Sequence, residues 1–511
     1  MAKPKKSRNS APDPSVAAQL PWRPSAPPLA TFLLISFAAL LLRALVSVGP
    51  YSGQGAAPKF GDYEAQRHWM ELTLHLPSSD WYRNTSDNDL AYWGLDYPPL
   101  SAYQSRLHAH LINASLPDAV ALRSSRGKLL MRWTVLSSDL MVFFPAALWF
   151  VWAYMKDGVG GSGERREGWT WLLAMVLLNP CLVLIDHGHF QYNCISLGLT
   201  LGAIAGILSR NELVAAALFS LAINHKQMSM YFAPAFFGHL LGKCLKRKCP
   251  IVEIMKLGFV VLGTFALVWW PYLHSYEAAM QVISRLAPFE RGLYEDYVAN
   301  FWCTTSVLIK WKRLYAIKPL KLMSLSATIL AFLPSFIQQV KSPSNLGFLY
   351  SLLNSSFSFY LFSYQVHEKS ILLPLLPASL LALHEPHLHG WFTYYALFSM
   401  YPLICRDQLL LQYIAVLGLF VLIYYSPGGN YGKGTNISSG TMAVLSLPLL
   451  CSILLHTVYL QIEPPKRYPF LFEALIMFIC FSQFIILTLY TNYKQWMLDF
   501  HPRPVGSKKD L

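Results

Sequence analysis

The sequence is poor in charged residues. Asp, Glu, Lys and Arg make up only 13% of its 511 residues, whereas 54% are hydrophobic and the mean hydropathy is +0.35. A soluble domain carries about a quarter charged residues, so this composition excludes an ordinary soluble protein. Apolar runs of roughly 20 residues, long enough to cross a bilayer as helices, recur along the chain. Four clear examples are 29–48, 135–155, 257–273 and 471–490.

The chain also lacks three patterns that indicate other classes of protein. Its eight cysteines have neither metal-binding spacing nor the pairing of a disulfide framework. No internal repeat is evident, so the inverted-repeat signature of many secondary transporters is missing. The net charge of +14 is not concentrated in a soluble basic module that would bind nucleic acid. Basic residues in short loops and tails instead follow the positive-inside rule.

These features predict an all-α polytopic membrane protein with about 12–14 transmembrane helices. Helices are expected because the strands of a membrane barrel alternate polar and apolar residues, and these runs do not. The first helix is expected at 29–48, and a multi-helix domain at 132–495.

The two ends of the chain predict its location and orientation. No cleavable signal peptide is evident, because the first apolar run follows a polar, proline-rich tail (1–28) and is long enough to remain as an anchor. Lys508 and Lys509 resemble the dilysine retrieval signal of endoplasmic reticulum membrane proteins. This signal would place the tail 496–511 in the cytosol with the basic N-terminal tail, and the number of spans would then be even.

One long segment, 49–131, has no spanning run and is expected to form a lumenal loop. Glycosylation sequons at Asn84 and Asn113 agree with a lumenal location. A loop of this length among short ones is typically functional. A second lumenal loop is expected near 274–302.

Three polar clusters interrupt the apolar background. In 61–69 the spacing predicts a helix on the membrane surface, with Glu64 and His68, and Arg67 and Glu71, at i and i+4. Asp62, at the start of this helix, is either an N-capping residue or a catalytic carboxylate.

The second cluster is 93–99, where prolines make a rigid turn that carries Asp96 and Tyr97. A carboxylate and a ring suit the hydroxyls and faces of a sugar, although ordinary interfacial loops also contain them. The third cluster holds His367, Glu368 and Lys369, and ionisable residues at a membrane boundary are costly unless they are paired or bind a ligand. His367 and Lys369 are suited to donating hydrogen bonds to a phosphate.

Other polar residues give weaker signals. The set Arg285, Arg291, Glu295 and Asp296 fits either a phosphate site or a solvated loop. Asp139 and the run 186–189, with two histidines around a glycine, fit helix packing or a loop, and only loosely a metal site.

The runs 61–69, 93–99, 291–303 and 367–377 together resemble the dolichyl-phosphate-glucose-dependent alpha-1,3-glucosyltransferases of asparagine-linked glycan assembly. The resemblance covers most of the chain in order, and Gly-Asp-Tyr-Glu-Ala-Gln-Arg-His-Trp at 61–69 is its most specific part. The chain looks closest to the members that add the first glucose to the oligomannose lipid.

The resemblance implies a C-type glycosyltransferase fold and a lumenal active site in the endoplasmic reticulum membrane. It also implies inverting transfer of glucose from dolichyl phosphate β-glucose to the terminal mannose of a dolichyl-pyrophosphate oligosaccharide. By it, Asp62 is the catalytic base and His367 lies near the donor phosphate, and charge adds Lys369 and Arg291 to the phosphate site. The residues expected to contact the acceptor sugar are Glu64, Asp96 and Tyr97.

No metal or other cofactor is expected. A phosphate leaving group needs no strong general acid, and positive side chains can stabilise its charge in place of a divalent ion. The alternatives are the sister enzyme that adds the second glucose, a dolichyl-phosphate-mannose mannosyltransferase, and a transporter of lipid-linked sugars. The donor sugar cannot be inferred from residue spacing, so the choice of glucose depends on the resemblance alone.

Overall fold

The structure is a computed structural model in which the chain is described over six stretches. They are residues 28–55, 61–115, 125–156, 168–286, 297–426 and 439–500. The predictions for the N-terminal tail, the dilysine signal and Arg291 fall outside these stretches. Within them there are helices and no β-strand, as the composition predicts.

The first half of the chain contains twelve α-helices among the described residues. They are α1 (Pro28–Ser47), α2 (Asp62–His75), α3 (Pro99–Ser115), α4 (Ser125–Ser138), α5 (Phe144–Lys156), α6 (Trp169–Leu177), α7 (Pro180–Leu182), α8 (Asn193–Leu208), α9 (Glu212–His225), α10 (Ala233–Leu245), α11 (Pro250–Trp269) and α12 (Tyr276–Leu286). A π-helical turn, Asp139–Phe143, joins α4 to α5, and a longer π-helical segment, Val183–Phe190, follows α7.

The second half contains ten more helices in the described stretches. They are α13 (Phe301–Thr305), α14 (Trp311–Leu314), α15 (Ile317–Lys341), α16 (Asn345–Phe362), α17 (Leu372–Leu380), α18 (Pro386–Ser399), α19 (Tyr401–Arg406), α20 (Leu410–Tyr424), α21 (Ser439–Gln461) and α22 (Leu471–Phe500). Short 3₁₀ turns lie at Ser78–Asp80, Gln227–Phe232, Trp270–Tyr272 and Glu368–Ile371.

Six of the described helical stretches are long and apolar enough to cross a membrane. They are Leu29–Ser47, Arg126–Lys156, Trp169–Phe190, Pro250–Tyr272, Ile317–Lys341 and Leu471–Asp499. Four further apolar helices are shorter. Large apolar side chains such as Phe259 and Leu262 on α11 are about 69% exposed, as lipid-facing side chains are. The multi-pass helical class is therefore confirmed, while the number of 12–14 spans and the domain boundaries stay predictions.

A buried ion pair fastens the first span to the second. The guanidinium of Arg43 bonds to Asp139, whose Oδ2 also lies 2.9 Å from Nε2 of His187 in the Val183–Phe190 segment. All three side chains are fully buried. Removing one partner of a buried pair costs about 3–5 kcal/mol, so this cluster fixes the Val183–Phe190 segment against α1. Asp139 therefore has the helix-packing role considered from the sequence.

The first loop packs closely against the same segment. Tyr63 and Met70 on α2 form one apolar cluster with Phe190 and Tyr192, and Trp69 on the neighbouring face packs in another. The guanidinium of Arg132 donates to the backbone carbonyls of His187, Gly188 and Pro50 at 2.6–2.9 Å. The start of α2 is thereby placed beside the end of the Val183–Phe190 segment.

Candidate functional site

A cavity of about 1110 Å³ lies where the first loop meets the helix bundle. Its walls come from the start of α2, the turn before α3, the residues after the Val183–Phe190 segment, the turn after α9, the chain around the Glu368–Ile371 turn, and the link between α19 and α20. Polar residues from distant parts of the sequence therefore face a single space.

Asp62 is the first residue of α2 and lies at this cavity. The residue before it, Gly61, allows the chain to approach Ser52 closely, because a Cβ at Gly61 would lie only 2.8–2.9 Å from Ser52 atoms. Ser52 in turn accepts from the Tyr63 amide at 3.1 Å and donates its own amide to the carbonyl of His189 at 3.1 Å. The helix starts without a side-chain cap, so the N-capping interpretation of Asp62 is wrong.

The Asp62 carboxylate is held asymmetrically. Its Oδ2 receives Lys369 Nζ at 2.7 Å, His189 Nε2 at 3.1 Å and the side-chain amide of Gln191. A carboxylate only accepts, so each partner donates. Within the described stretches Oδ1 has no such partner, and the side chain is 26% exposed. One oxygen is therefore an anchor and the other faces the cavity.

The charge of Asp62 is set by these contacts. Burial alone raises the pKa of a carboxyl group, but the charge of Lys369 and the hydrogen bond from His189 outweigh burial and hold the pKa of Asp62 well below its ordinary value. The same pairing raises the pKa of Lys369 despite its burial. The carboxylate is thus ionised at neutral pH.

The donors on Asp62 are themselves fixed. Nδ1 of His189 bonds to the carboxylate of Asp407, whose side chain is only 4% exposed. The carbonyl oxygen of the Gln191 side chain accepts from Asn193 at 2.9 Å and from Lys226 at 3.2 Å, so its NH₂ group must point at Asp62. Lys226 Nζ also donates to Asn193 Oδ1 at 2.6 Å.

Most of the predicted site residues meet at this cavity. Asp62, Asp96, Tyr97, His367 and Lys369 all line it, as does Arg285. The ring of Tyr97 lies 5.1 Å from Lys226 Nζ and packs edge-on against Trp69. Asn84 and Asn113 are exposed, outside the cavity lining. Arg291 lies outside the described residues.

Glu64 is not brought to the cavity. Its carboxylate is buried, accepts from Arg67 at 2.8 Å and 3.0 Å, and accepts from Tyr92 at 2.9 Å. Arg67 bonds to Glu71 at 2.6 Å as the spacing predicts, but Glu64 pairs with Arg67 at i+3 rather than with His68. Glu64 therefore ties α2 to the loop before α3, and its placement argues against the sugar contact expected from the sequence.

The sequence-based list of site residues omits His189, Gln191, Asp407 and Lys226. The run 186–189 is a visible polar signal, but its pattern fits helix packing or a loop, and only loosely a metal site. In the structure His187 and His189 bind different carboxylates, and the described residues contain no group of three His, Cys, Asp or Glu side chains placed to hold a metal ion. Metal independence stays a prediction.

Comparison with known proteins places the chain in a family. A model described as "ALG6, ALG8 glycosyltransferase family" matches residues 39–490. A relative in Arabidopsis thaliana, named probable dolichyl pyrophosphate Man9GlcNAc2 alpha-1,3-glucosyltransferase, is 60% identical, and the match covers 92% of this chain and 90% of the relative. Relatives named dolichyl pyrophosphate Man9GlcNAc2 alpha-1,3-glucosyltransferase in Mus musculus and Saccharomyces cerevisiae are 39% and 38% identical, with at least 89% of this chain and 93% of each relative covered.

Replacing Lys369 with methionine is expected to raise the pH below which enzymatic turnover is lost. The lysine charge holds the pKa of Asp62 down, so without it the carboxylate protonates at higher pH. The measurement is turnover against pH across the acidic and neutral range. Lys256→Met, on a half-exposed lysine of α11 outside the cavity lining, should leave the profile unchanged. An unshifted acid limb in Lys369→Met would show that Lys369 does not control the charge of Asp62.

Proposed function

The chain belongs to the ALG6, ALG8 glycosyltransferase family, and from that premise we propose that it transfers glucose from dolichyl phosphate β-glucose to the terminal mannose of dolichyl-pyrophosphate Man9GlcNAc2, in an α-1,3 linkage. The acceptor and linkage follow the names of relatives that match along nearly their whole length. The observation that carries the chemistry is Asp62, an ionised carboxylate with one oxygen anchored and the other open to a large cavity.

Asp62 acts as the general base in this proposal. Its Oδ1 takes the proton of the acceptor hydroxyl while the hydroxyl oxygen forms a bond to C1 of the glucose. The bond from C1 to the phosphate oxygen breaks, and its electron pair leaves with dolichyl phosphate. Attack opposite the phosphate converts a β donor into an α product, as in inverting glycosidases. General-base catalysis of this kind contributes about 10²–10⁴-fold.

The phosphate of the donor is assigned to the positive side of the cavity. His367 and Lys369 line the cavity, as does Arg285, whose guanidinium donates to the backbone carbonyls of Gly94 and Leu95 at 3.0–3.2 Å. Hydrogen-bond donors of this kind stabilise the charge that develops on a leaving phosphate. Arg291 remains a further proposed contact. This arrangement makes a divalent metal unnecessary in the proposed mechanism.

The acceptor sugar is assigned to the turn 93–99. Tyr97 presents a ring at the cavity wall, and Asp96 lies beside it with its carbonyl bonded to Gln227 at 3.2 Å. A ring and a carboxylate match the face and the hydroxyls of a mannose residue. The proposal also places the cavity on the lumenal side of the endoplasmic reticulum membrane. The glycosylation sequon at Asn84, an exposed residue in the same loop as Asp62, supports that side.

Asp62→Asn is expected to reduce glucosylation by at least about 10²-fold, because asparagine is similar in shape but cannot take the proton. The assay supplies labelled dolichyl phosphate glucose and Man9GlcNAc2 lipid to purified protein and measures the labelled lipid-linked product. Excess chelator should not lower the rate of the unmodified protein.

The matched control for this variant is Asp80→Asn, in the same loop but outside the cavity lining, which should transfer normally. Near-normal turnover in Asp62→Asn would remove the carboxylate from the mechanism. Movement of donor across a bilayer without a covalent product would instead indicate a transporter.

His367→Ala is expected to raise the KM for the donor by about tenfold, because it removes one hydrogen bond to the charged phosphate, worth about 1.5 kcal/mol. The KM for the acceptor should change much less. Steady-state kinetics with each substrate varied in turn make the measurement. An equal change in the two KM values would contradict a specific phosphate contact.

Asn84→Gln is expected to lower the apparent mass of the protein expressed in cells by one glycan, which is seen as faster electrophoretic migration. Glycan transfer takes place in the lumen, so the loss of a glycan reports the side on which the loop lies. Treatment with an N-glycosidase should shift the unmodified protein to the position of the variant. The lumenal placement is wrong if neither Asn84 nor an acceptor sequon inserted beside it is glycosylated, while a sequon inserted in the loop between α10 and α11 is glycosylated.

A further inference from the structure

Two residues far from the first loop in sequence connect to the proposed base: His189 contacts Asp62, and Asp407 contacts His189. His189 is 127 positions from Asp62 in sequence, and Asp407 is 218 positions from His189. The imidazole of His189 lies between the two carboxylates, with Nε2 toward Asp62 and Nδ1 toward Asp407. The chain Asp407–His189–Asp62 therefore joins the link between α19 and α20 to the start of α2.

We propose that His189 is a positioning residue for the base Asp62, that Asp407 holds His189 in this role, and that the pair directs Oδ1 of Asp62 at the acceptor hydroxyl. The inference rests on the proposed function, because it concerns the group that takes the proton in that reaction.

The ring contacts define what His189 does. Carboxylates accept hydrogen bonds and do not donate them, so the ring must donate from both nitrogens to satisfy both contacts. It is then an imidazolium between two carboxylates. The charged groups that face His189 in the described part of the chain are Asp62, Asp407 and Lys369, whose Nζ lies 3.3 Å from Nε2.

The backbone around His189 is equally constrained. Its carbonyl accepts from the Ser52 amide, and the carbonyls of the two preceding residues accept from Arg132. The next residue, Phe190, has a φ of 87°, a region that bulky residues rarely adopt. This unusual backbone lies between His189 and Gln191, two of the side chains that bind Oδ2, and strained backbone is concentrated at functional sites.

These contacts make the two oxygens of the Asp62 carboxylate inequivalent. A carboxylate held by a single lysine can rotate about its last torsion and exchange its oxygens. With His189 and Gln191 also bonded to Oδ2, rotation would break three hydrogen bonds at once. Oδ1 is then the oxygen left for the substrate. Asp407 contributes by fixing the ring orientation, as a buried aspartate does for a histidine in hydrolase triads.

The test compares Asp407→Asn, His189→Gln and the double variant in the glucosylation assay. Each single variant should lower kcat about 10- to 100-fold, less than the loss of the base itself, which contributes about 10²–10⁴-fold, and leave the KM values for donor and acceptor within about twofold. His189→Gln should also move the acid limb of the pH profile upward, because it removes a positive donor from Asp62. The double variant should be no slower than His189→Gln, because Asp407 acts through His189.

His239→Gln is the matched control. His239 is a buried histidine of α10 that contacts Gln339 at 3.0 Å and lies outside the cavity lining. It should keep full turnover. Elution as a single folded species and thermal melting in detergent establish that each variant is folded. If His189→Gln does not fold, the nearly isosteric Asp407→Asn decides the question by its kcat and KM values.

Two results would overturn the inference. One is normal kcat in Asp407→Asn or His189→Gln, and the other is losses that multiply in the double variant, which would mean independent structural roles. Asp62→Asn, measured in the same assay, distinguishes failure of the proposed mechanism from failure of the positioning role. If it transfers normally, the proposed mechanism fails. If it is inactive while the His189 and Asp407 variants are normal, only the positioning role fails.

Discussion

The convergence of three donors on Oδ2 of Asp62 is the interaction on which the rest of the structure depends. A carboxylate withdrawn from water is costly unless it is paired and hydrogen-bonded. Its partners Lys369, His189 and Gln191 lie 307, 127 and 129 positions away in sequence. The first loop can therefore keep an ionised Asp62 only when the helices that carry these residues have assembled around it.

The membrane-spanning part supplies the rigidity that this interaction requires. Arg43 and Asp139 fix the first two spans to the Val183–Phe190 segment, and Arg132 holds the backbone of that segment beside the first loop. Such contacts are strong where water is excluded. The end of the segment carries His189 to the cavity, and Gln191 follows directly after it. The geometry of the base therefore depends on packing inside the helix bundle.

Much of the fold class and part of the site could be predicted from the sequence. Long apolar runs determine a helical membrane protein almost by themselves. The resemblance indicates Asp62 and His367, charge adds Lys369, and all three line one cavity. The roles of His189 and Asp407 could not be predicted, because local spacing carries no information on a contact across 218 positions. The position of Glu64 outside the cavity lining could not be predicted for a related reason. Helical spacing does not reveal that Tyr92 in a following loop donates a hydrogen bond to its carboxylate.

The most direct test of the account is a structure of the protein with acceptor and an unreactive donor analogue bound, at a resolution that places side-chain atoms. The account predicts the attacking hydroxyl oxygen about 2.6–3.2 Å from Oδ1 of Asp62, with His189 and Gln191 still bonded to Oδ2. A hydroxyl bound to Oδ2 instead, or held by a different carboxylate, would contradict it.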